Sequence, residues 1–162
     1  MPLSVGDKLP GVTSLRMGAD GPEEVDMAAK FAGRKVVLFG LPGAFTGTCT
    51  TAHMPSFIRT HDAFAAKGID EIICVAVNDP FVVDAWTKET GADAAGITVI
   101  ADAASSFTTA ADMNFDAPAI GFYGRSMRYS LYAEDGVVKV IMQEDGPGTC
   151  EISAGESLLA EI

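Results

Sequence analysis

The chain has 162 residues, 48% of them hydrophobic, which suits one domain over residues 1–162 with a substantial core. With 11 basic and 22 acidic residues its net charge is −11, so phosphate backbones and anionic lipid surfaces would repel it, and we expect no nucleic-acid or membrane partner. No apolar run reaches the length of a membrane span, and the first residues lack a signal- or transit-peptide pattern, so we expect a cytoplasmic protein.

The first third of the chain predicts short strands followed by a buried one. Weak extended pieces at residues 12–17 and 24–27 flank turn residues, and residues 28–31 suit a helical turn. The run Val36-Val-Leu-Phe39 has no polar alternation, which is typical of a strand covered on both faces, as in a parallel sheet.

A cysteine-bearing turn follows that buried strand. Pro42 and Gly43 indicate a turn, four threonines surround Cys49, and apolar residues then recur at helical spacing to Phe64. The free N–H groups and the dipole of a helix start favour a thiolate over a thiol, and an exposed thiolate can be oxidised to sulfenic acid. A small, inert core cysteine is the other interpretation. The polar threonines beside the sulfur favour a reactive site.

The remaining elements alternate strand and helix. Pro55 should kink or break the helix after Cys49, and residues 72–77 and 97–100 read as further buried strands. Asp79 and Asp102 are predicted helix caps, and Ser153-x-x-Glu156 is a predicted capping box for a final helix. Residues 128–133 and 137–142 flank Asp135-Gly136, a hairpin signal. The pattern predicts an α/β sandwich; the hairpin before a last helix favours a thioredoxin-like over a flavodoxin-like fold, with a central mixed β-sheet flanked by helices.

The segment Pro42-Gly-Ala-Phe-Thr46-Gly-Thr-Cys49 resembles the Pro-x-x-x-Thr-x-x-Cys signature of peroxiredoxins. The string His53-Met-Pro-Ser-Phe57 and the later Gly124-Arg-Ser-Met-Arg128-Tyr-Ser are similar to the peroxiredoxin-5-like, or type II, branch. The resemblance implies a thioredoxin-like fold and a thiol peroxidase that reduces hydrogen peroxide and alkyl hydroperoxides through a cysteine sulfenic acid.

The same resemblance assigns roles to four residues. Cys49 would be the peroxidatic cysteine, Thr46 would hold the peroxide through its hydroxyl, Pro42 would shield the pocket, and Arg128 would stabilise the thiolate and the transition state. Charge developing on the departing oxygen is what such preorganised donors stabilise. Many relatives have proline two residues before the cysteine, where this chain has Gly47, so we expect a looser turn.

The thiol that resolves the sulfenate stays open. Cys74 lies in an apolar strand but matches the second cysteine of plant-like type II peroxiredoxins, whereas Cys150 follows Gly-Pro-Gly-Thr and approximates the C-terminal resolving cysteine of animal peroxiredoxin-5-like proteins. The mobility of a Gly-Pro-Gly loop favours Cys150, because disulfide formation needs α-carbons within about 7 Å. An external thiol is the third possibility.

Other chemistry is not indicated. No Cys-x-x-Cys pair occurs, His53 is interpreted as a packed residue and His61 as a surface one, so no metal or bound cofactor is expected. The resemblance implies glutathione with glutaredoxin, or thioredoxin, as reductant, and a homodimer with Phe45 and Phe122 near its contact. A thiol–disulfide oxidoreductase and a redox-sensing binding module are the competing functions.

Overall fold

The computed structural model describes residues 1–162. Nine strands are present: β1 (Thr13–Gly18), β2 (Gly21–Asp26), β3 (Lys35–Leu41), β4 (Glu71–Ala76), β5 (Thr98–Ala101), β6 (Asn114–Ala117), β7 (Phe122–Ser126), β8 (Tyr129–Glu134) and β9 (Val137–Gln143). The α-helices are α1 (Met27–Phe31), α2 (Met54–Ala66), α3 (Pro80–Thr90), α4 (Ser106–Ala110) and α5 (Gly155–Leu159), with a π-helical turn at Cys49–His53 and a 3₁₀ turn at Pro118–Ile120. No helix combines the length and apolar character needed to span a membrane.

Seven strands form one mixed sheet in the order β2-β1-β5-β4-β3-β8-β9. The inner strands β3, β4 and β5 are parallel, and β1, β2, β8 and β9 join them in antiparallel pairs. The apolar runs predicted to be strands covered on both faces are therefore the central ones, and the prediction of a central mixed sheet flanked by helices is confirmed.

Successive side chains of β3 point to opposite faces of the sheet and pack into two separate cores. Phe39 and its same-face neighbours pack against α2 and α3 in a core that also contains Cys49 and Cys74. Leu38 faces the opposite core, which is built with α1, α4 and the ring of Tyr129. A side chain at Gly40 would place its Cβ 2.4 Å from Tyr129 Cε1, so this central position requires glycine.

Two of the predicted caps form. The Asp79 side chain accepts hydrogen bonds from Phe81 N at 2.9 Å and Val82 N at 3.0 Å, at the start of α3. Asp102 lies before the α4 cap position, and its carboxylate accepts from Phe107 N at 3.0 Å and Thr108 N at 2.9 Å. The predicted hairpin turn is also present, with left-handed backbone at Asp135 (φ 49°) and Gly136 (φ 76°).

The predicted capping box at Ser153 and Glu156 is wrong. The N-cap of α5 is Ala154, which makes no side-chain cap. The Ser153 hydroxyl instead donates to Glu144 at 2.8 Å, and Glu156 forms an exposed ion pair with Arg59. The small antiparallel pair β6–β7 was not predicted; it lies outside the main sheet, and β6 has only four residues.

Candidate active site

The turn that follows β3 is fixed from three sides. Asn78 Oδ1 accepts the Ala44 N–H at 2.7 Å, Arg125 Nη1 donates to Pro42 O at 3.1 Å, and the Thr46 hydroxyl donates to Gly43 O at 2.7 Å. Phe45 has a φ of 63°, in the left-handed region that is uncommon for a bulky residue. These contacts hold a strained turn at the end of a central strand, a common location for functional residues.

Cys49 opens a π-helical turn. The Met54 N–H donates to Cys49 O, five residues back, and Pro55, which has no N–H, follows within the first turn of α2. The break predicted at Pro55 is therefore realised as a widened turn immediately before the proline. Thr50, next to the cysteine, accepts a hydrogen bond from Trp86 Nε1 at 3.0 Å, which ties this turn to α3.

Arg128 reaches the sulfur. Its Nη2 lies 3.1 Å from Cys49 Sγ, and its side chain is almost fully buried. Nε and Nη2 also donate to Pro147 O, at 3.1 and 2.9 Å, and Nη1 lies 3.0 Å from His53 Nδ1. The guanidinium is thus held by two groups, Pro147 O and His53, while Nη2 also points at Cys49, so it can stabilise negative charge on the sulfur.

His53 fixes the other side of that guanidinium. Burial, with the Arg128 charge beside it, lowers the pKa of His53 well below its ordinary value. The neutral ring donates from Nε2 to Ser153 O at 3.1 Å, which leaves Nδ1 as the acceptor for Arg128. His53 does pack, against Phe39 and Phe57, but its link to Arg128 was not predicted.

The sulfur that the sequence pattern indicates as reactive is not exposed in this structure. Cys49 has an exposed fraction of 0%, because its side chain points into the core beneath the turn. A pocket of about 300 Å³ lies above it, lined by Pro42, Thr46, Gly47, Thr48, Ile120, Phe122, Arg128, Pro147 and Gly148. The pocket thus presents Thr46 and Arg128 to a small molecule, while Cys49 itself does not line it.

The other two thiols lie in different settings. Cys74 is fully buried in β4, paired on one side with Phe39 and on the other with Val99, and burial raises the pKa of its thiol well above the ordinary value. Cys150 is half-buried in the loop between β9 and α5, and burial raises the pKa of that thiol too. All three cysteines are free thiols.

Phe45 and Phe122, named above as near a dimer contact, lie close to the pocket and are at least partly exposed. Phe45 is 55% exposed and Phe122 half-buried, with the Arg125 guanidinium 4.8 Å above the Phe122 ring. No group of three or more His, Cys, Asp or Glu side chains converges as a metal site.

The chain is similar to known proteins over nearly its whole length. Residues 4–159 match the Redoxin family. The chain is 44% identical to chloroplastic peroxiredoxin-2E-2 of Oryza sativa subsp. japonica, over 98% of this chain and 72% of that protein, and 40% identical to peroxiredoxin-2C of the same plant, over 99% of both. The crystal structure of reduced Prx3 from Vibrio vulnificus in complex with H₂O₂ superposes with a TM-score of 0.91 at 38% identity, covering 98% of each chain.

Fold and comparisons together define a thioredoxin-like redoxin protein, as the sequence predicted. The chain belongs to the peroxiredoxins, in their type II or peroxiredoxin-5-like branch, and is a thiol-dependent peroxidase. Enzymes of this family act on a peroxide, use a thiol reductant and need no prosthetic group.

Proposed function

We propose that Cys49 is the peroxidatic cysteine and that Arg128, Thr46 and Pro42 have the roles that the family resemblance implies. The contact of 3.1 Å between Arg128 Nη2 and Cys49 Sγ carries this proposal, because a buried guanidinium stabilises the thiolate that attacks. The Thr46 hydroxyl donates its hydrogen to Gly43 O, so its oxygen is free to accept the O–H of a bound peroxide. Pro42 is buried beside the pocket and restricts water there.

The reaction follows from these contacts. The Cys49 thiolate attacks the terminal peroxide oxygen, an S–O bond forms, the O–O bond breaks, and the departing oxygen leaves as alkoxide or hydroxide and takes a proton. Sulfur is oxidised to sulfenic acid and the peroxide is reduced to alcohol or water. Arg128, bound to the sulfur at the start, also stabilises charge that develops on the departing oxygen.

Substitution tests this assignment directly. Cys49→Ser should abolish peroxide consumption, whereas Cys74→Ser, which changes another fully buried thiol of the same core, should retain the reaction of the first peroxide equivalent. Stopped-flow mixing with hydrogen peroxide measures both. Undiminished consumption by Cys49→Ser would contradict the proposal.

We also propose that Cys150 resolves the sulfenate. Neither the N–H nor the C=O of Cys150 enters a hydrogen bond, and its sulfur has only the Ser153 hydroxyl, at 3.9 Å. Cys74, in contrast, lies within a ladder on both sides and cannot move without breaking the central sheet. Condensation of the Cys150 thiol with the sulfenate forms the S–S bond and releases water.

One equivalent of peroxide followed by peptide mapping distinguishes the candidates. A Cys49–Cys150 link supports the proposal, and a Cys49–Cys74 link contradicts it. Persistent sulfenate, or full turnover by the Cys74→Ser, Cys150→Ser double variant with glutathione and glutaredoxin, would assign resolution to the external thiol.

The reductant we propose is glutathione with glutaredoxin, or thioredoxin. The two depend differently on Cys150: thioredoxin reduces a completed disulfide, while glutathione can condense with the sulfenate itself. Turnover of Cys150→Ser should therefore fall with thioredoxin and persist with glutathione and glutaredoxin. Equal losses with both reductants would contradict this division.

A homodimer that meets at the pocket rim is also proposed. Phe45 is 55% exposed there, and Ile120 and Tyr123, on either side of Phe122, are 68% and 67% exposed. Phe45→Glu should produce a monomer in sedimentation, whereas Phe81→Glu, at another exposed phenylalanine on α3, should not. A monomeric wild type would refute the dimer. A cytoplasmic location remains our proposal as well, tested by fractionation of cells that produce the chain.

A further inference from the structure

The loop between β9 and α5 completes the site with main-chain carbonyls. Pro147 O accepts two hydrogen bonds from Arg128, and Ser153 O accepts one from His53. Gly148 O also accepts a hydrogen bond, from the Thr48 hydroxyl at 3.0 Å. Because the guanidinium is aimed by Pro147 and His53, its direction depends on how firmly residues 145–153 are held.

One buried carboxylate holds that loop. Glu144 Oε2 accepts from Glu151 N at 2.8 Å, from Ser153 N at 3.0 Å and from the Ser153 hydroxyl at 2.8 Å. Glu144 Oε1 accepts from Ile152 N at 3.4 Å. The backbone of 151–153 thus wraps around the carboxylate as an anion-binding concavity, and the side chain that fills it belongs to the first residue of the same loop.

Glu144 is also joined to Arg128 through the backbone. Its N–H donates to Arg128 O at 3.0 Å, which extends the β8–β9 pairing by one residue beyond each strand. Burial would raise the pKa of the Glu144 carboxyl, but the hydrogen bonds from Ser153, Glu151 and Ile152 outweigh it and lower the pKa below the ordinary value. The group is therefore an anion at neutral pH, which strengthens each bond it accepts.

We propose that Glu144 is a positioning residue for the peroxide reaction: its carboxylate fixes the loop whose carbonyls aim the Arg128 guanidinium at Cys49. The inference rests on the proposed roles of Cys49 and Arg128. It assigns to Glu144 no contact with peroxide and no proton transfer; its effect on the sulfur passes through residues 147 and 153.

Removing the charge should release the loop. In Glu144→Gln an amide nitrogen replaces one oxygen and meets N–H donors that it cannot satisfy, so part of the 151–153 backbone loses its partner. Pro147 O and Ser153 O are then held less firmly, and the contact between the Arg128 guanidinium and Cys49 Sγ is populated less. The expected result is a fall of at least about tenfold in the second-order rate constant for Cys49 oxidation, the equivalent of one lost hydrogen bond to a charged group.

The chain supplies its own probe and control. Trp86 is the single tryptophan and donates to Thr50, beside Cys49, so its fluorescence under stopped-flow mixing reports the oxidation of Cys49. Asp145→Asn makes the same charge change one residue away, at an exposed side chain that accepts no hydrogen bond, and should leave the rate within about twofold of wild type. Hydrogen exchange at the amides of 151–153 should accelerate in Glu144→Gln alone.

A double-mutant cycle with Arg128→Met separates positioning from general destabilisation. If Glu144 acts through the guanidinium, Glu144→Gln should slow oxidation in wild type but change it by less than about twofold when Arg128 is already absent. Phe107→Leu, in the opposite core, serves as a variant of lowered stability with the site intact.

The outcomes are separable. Equal slowing by Glu144→Gln with and without Arg128, or an unchanged rate in Glu144→Gln, would overturn this inference while leaving Cys49 as the peroxidatic residue. Slowing of the Phe107→Leu variant to the same degree would overturn it too. Peroxide consumption that survives Cys49→Ser would instead refute the proposed function.

Discussion

Two segments meet at Cys49, and they contribute different kinds of groups. The turn and π-helical turn at residues 42–53 contribute side chains, among them Thr46, Cys49 and His53. The loop at residues 144–153 contributes carbonyl oxygens, which hold Arg128 and His53 in place. Half of this site therefore depends on the path of the backbone, which leaves no signature in the identity of any one residue.

The two segments are also anchored differently. The turn follows a central strand and is tied to a second strand pair through Arg125. The loop makes few backbone contacts of its own and depends on Glu144 and on Thr48. We therefore expect the loop to open more readily than the turn. Movement of the loop would bring Cys150 towards Cys49.

The two arginines that serve this site should differ most in their effect on the rate of Cys49 oxidation. Arg128→Met removes the guanidinium from the sulfur and should lower the rate of Cys49 oxidation by about 10²–10³-fold, as expected for a lost preorganised donor. Arg125→Met removes the hydrogen bond to Pro42 O and the contact over the Phe122 ring but no contact with the sulfur, and should lower the rate by less than about tenfold. Stopped-flow rates decide this, and similar losses in both variants would show that the sulfur contact has no special weight.

A second substitution tests how closely the start of α5 packs against α2. A Cβ at Gly155 would lie 2.4 Å from Thr60 Oγ1 and 2.6 Å from Ser56 O, so Gly155→Ala should lower the free energy of unfolding by about 1–3 kcal/mol. Gly148→Ala, where the space is open, should change it by less than about 0.5 kcal/mol. Urea unfolding of the two variants measures the difference, and equal stability would contradict the packing described here.

The next effect concerns His53, which touches both segments. Its pKa is lowered in the folded protein, so the unfolded chain binds the proton first as pH falls below about 6.5. Stability is therefore fully present above that pH and declines below it, by up to about 1.4 kcal/mol per pH unit from this group. His53→Gln should remove this part of the slope and His61→Gln should not; identical slopes in the two variants would count against a neutral buried His53.

The smallest effect tests the turn itself. The space around Gly47 is open and the residue begins the helical segment, so Gly47→Pro should raise the free energy of unfolding by about 0.4–1 kcal/mol. A stiffer turn should also slow formation of the Cys49 disulfide after oxidation. Calorimetry and timed peptide mapping provide the two readings, and a destabilised variant would mean that the turn needs the freedom of glycine.

The sequence predicted what depends on local patterns. Continuous apolar runs identified β3 and β4, Asp79-Pro80 identified the start of α3, and Asp135-Gly136 identified the last hairpin. The predicted capping box was wrong because the Ser153 hydroxyl donates to Glu144, nine residues earlier. Local spacing cannot reveal this competing hydrogen bond. The pair β6–β7 was missed because it lies outside the main sheet and is partly exposed, so neither strand forms a continuous apolar run.

Prediction of the site divides in the same way. Pro42, Thr46 and Cys49 lie within eight positions of one another and were recognised together. Arg128 was found through resemblance, since its approach to Cys49 depends on the pairing of β3 with β8. His53 was assigned only to packing, and Glu144 was not noticed at all. The roles of the four site residues, the single domain and the cytoplasmic location stay predictions.

The most direct measurement asks which sulfur peroxide oxidises first. Reduced wild-type protein is mixed with less than one equivalent of hydrogen peroxide, quenched within milliseconds with a sulfenate-trapping reagent, and mapped by mass spectrometry. We predict that every oxidised molecule carries the modification at Cys49, either as sulfenate or as a disulfide that includes it. Oxidised Cys74 or Cys150 in molecules whose Cys49 is still a thiol would contradict the account.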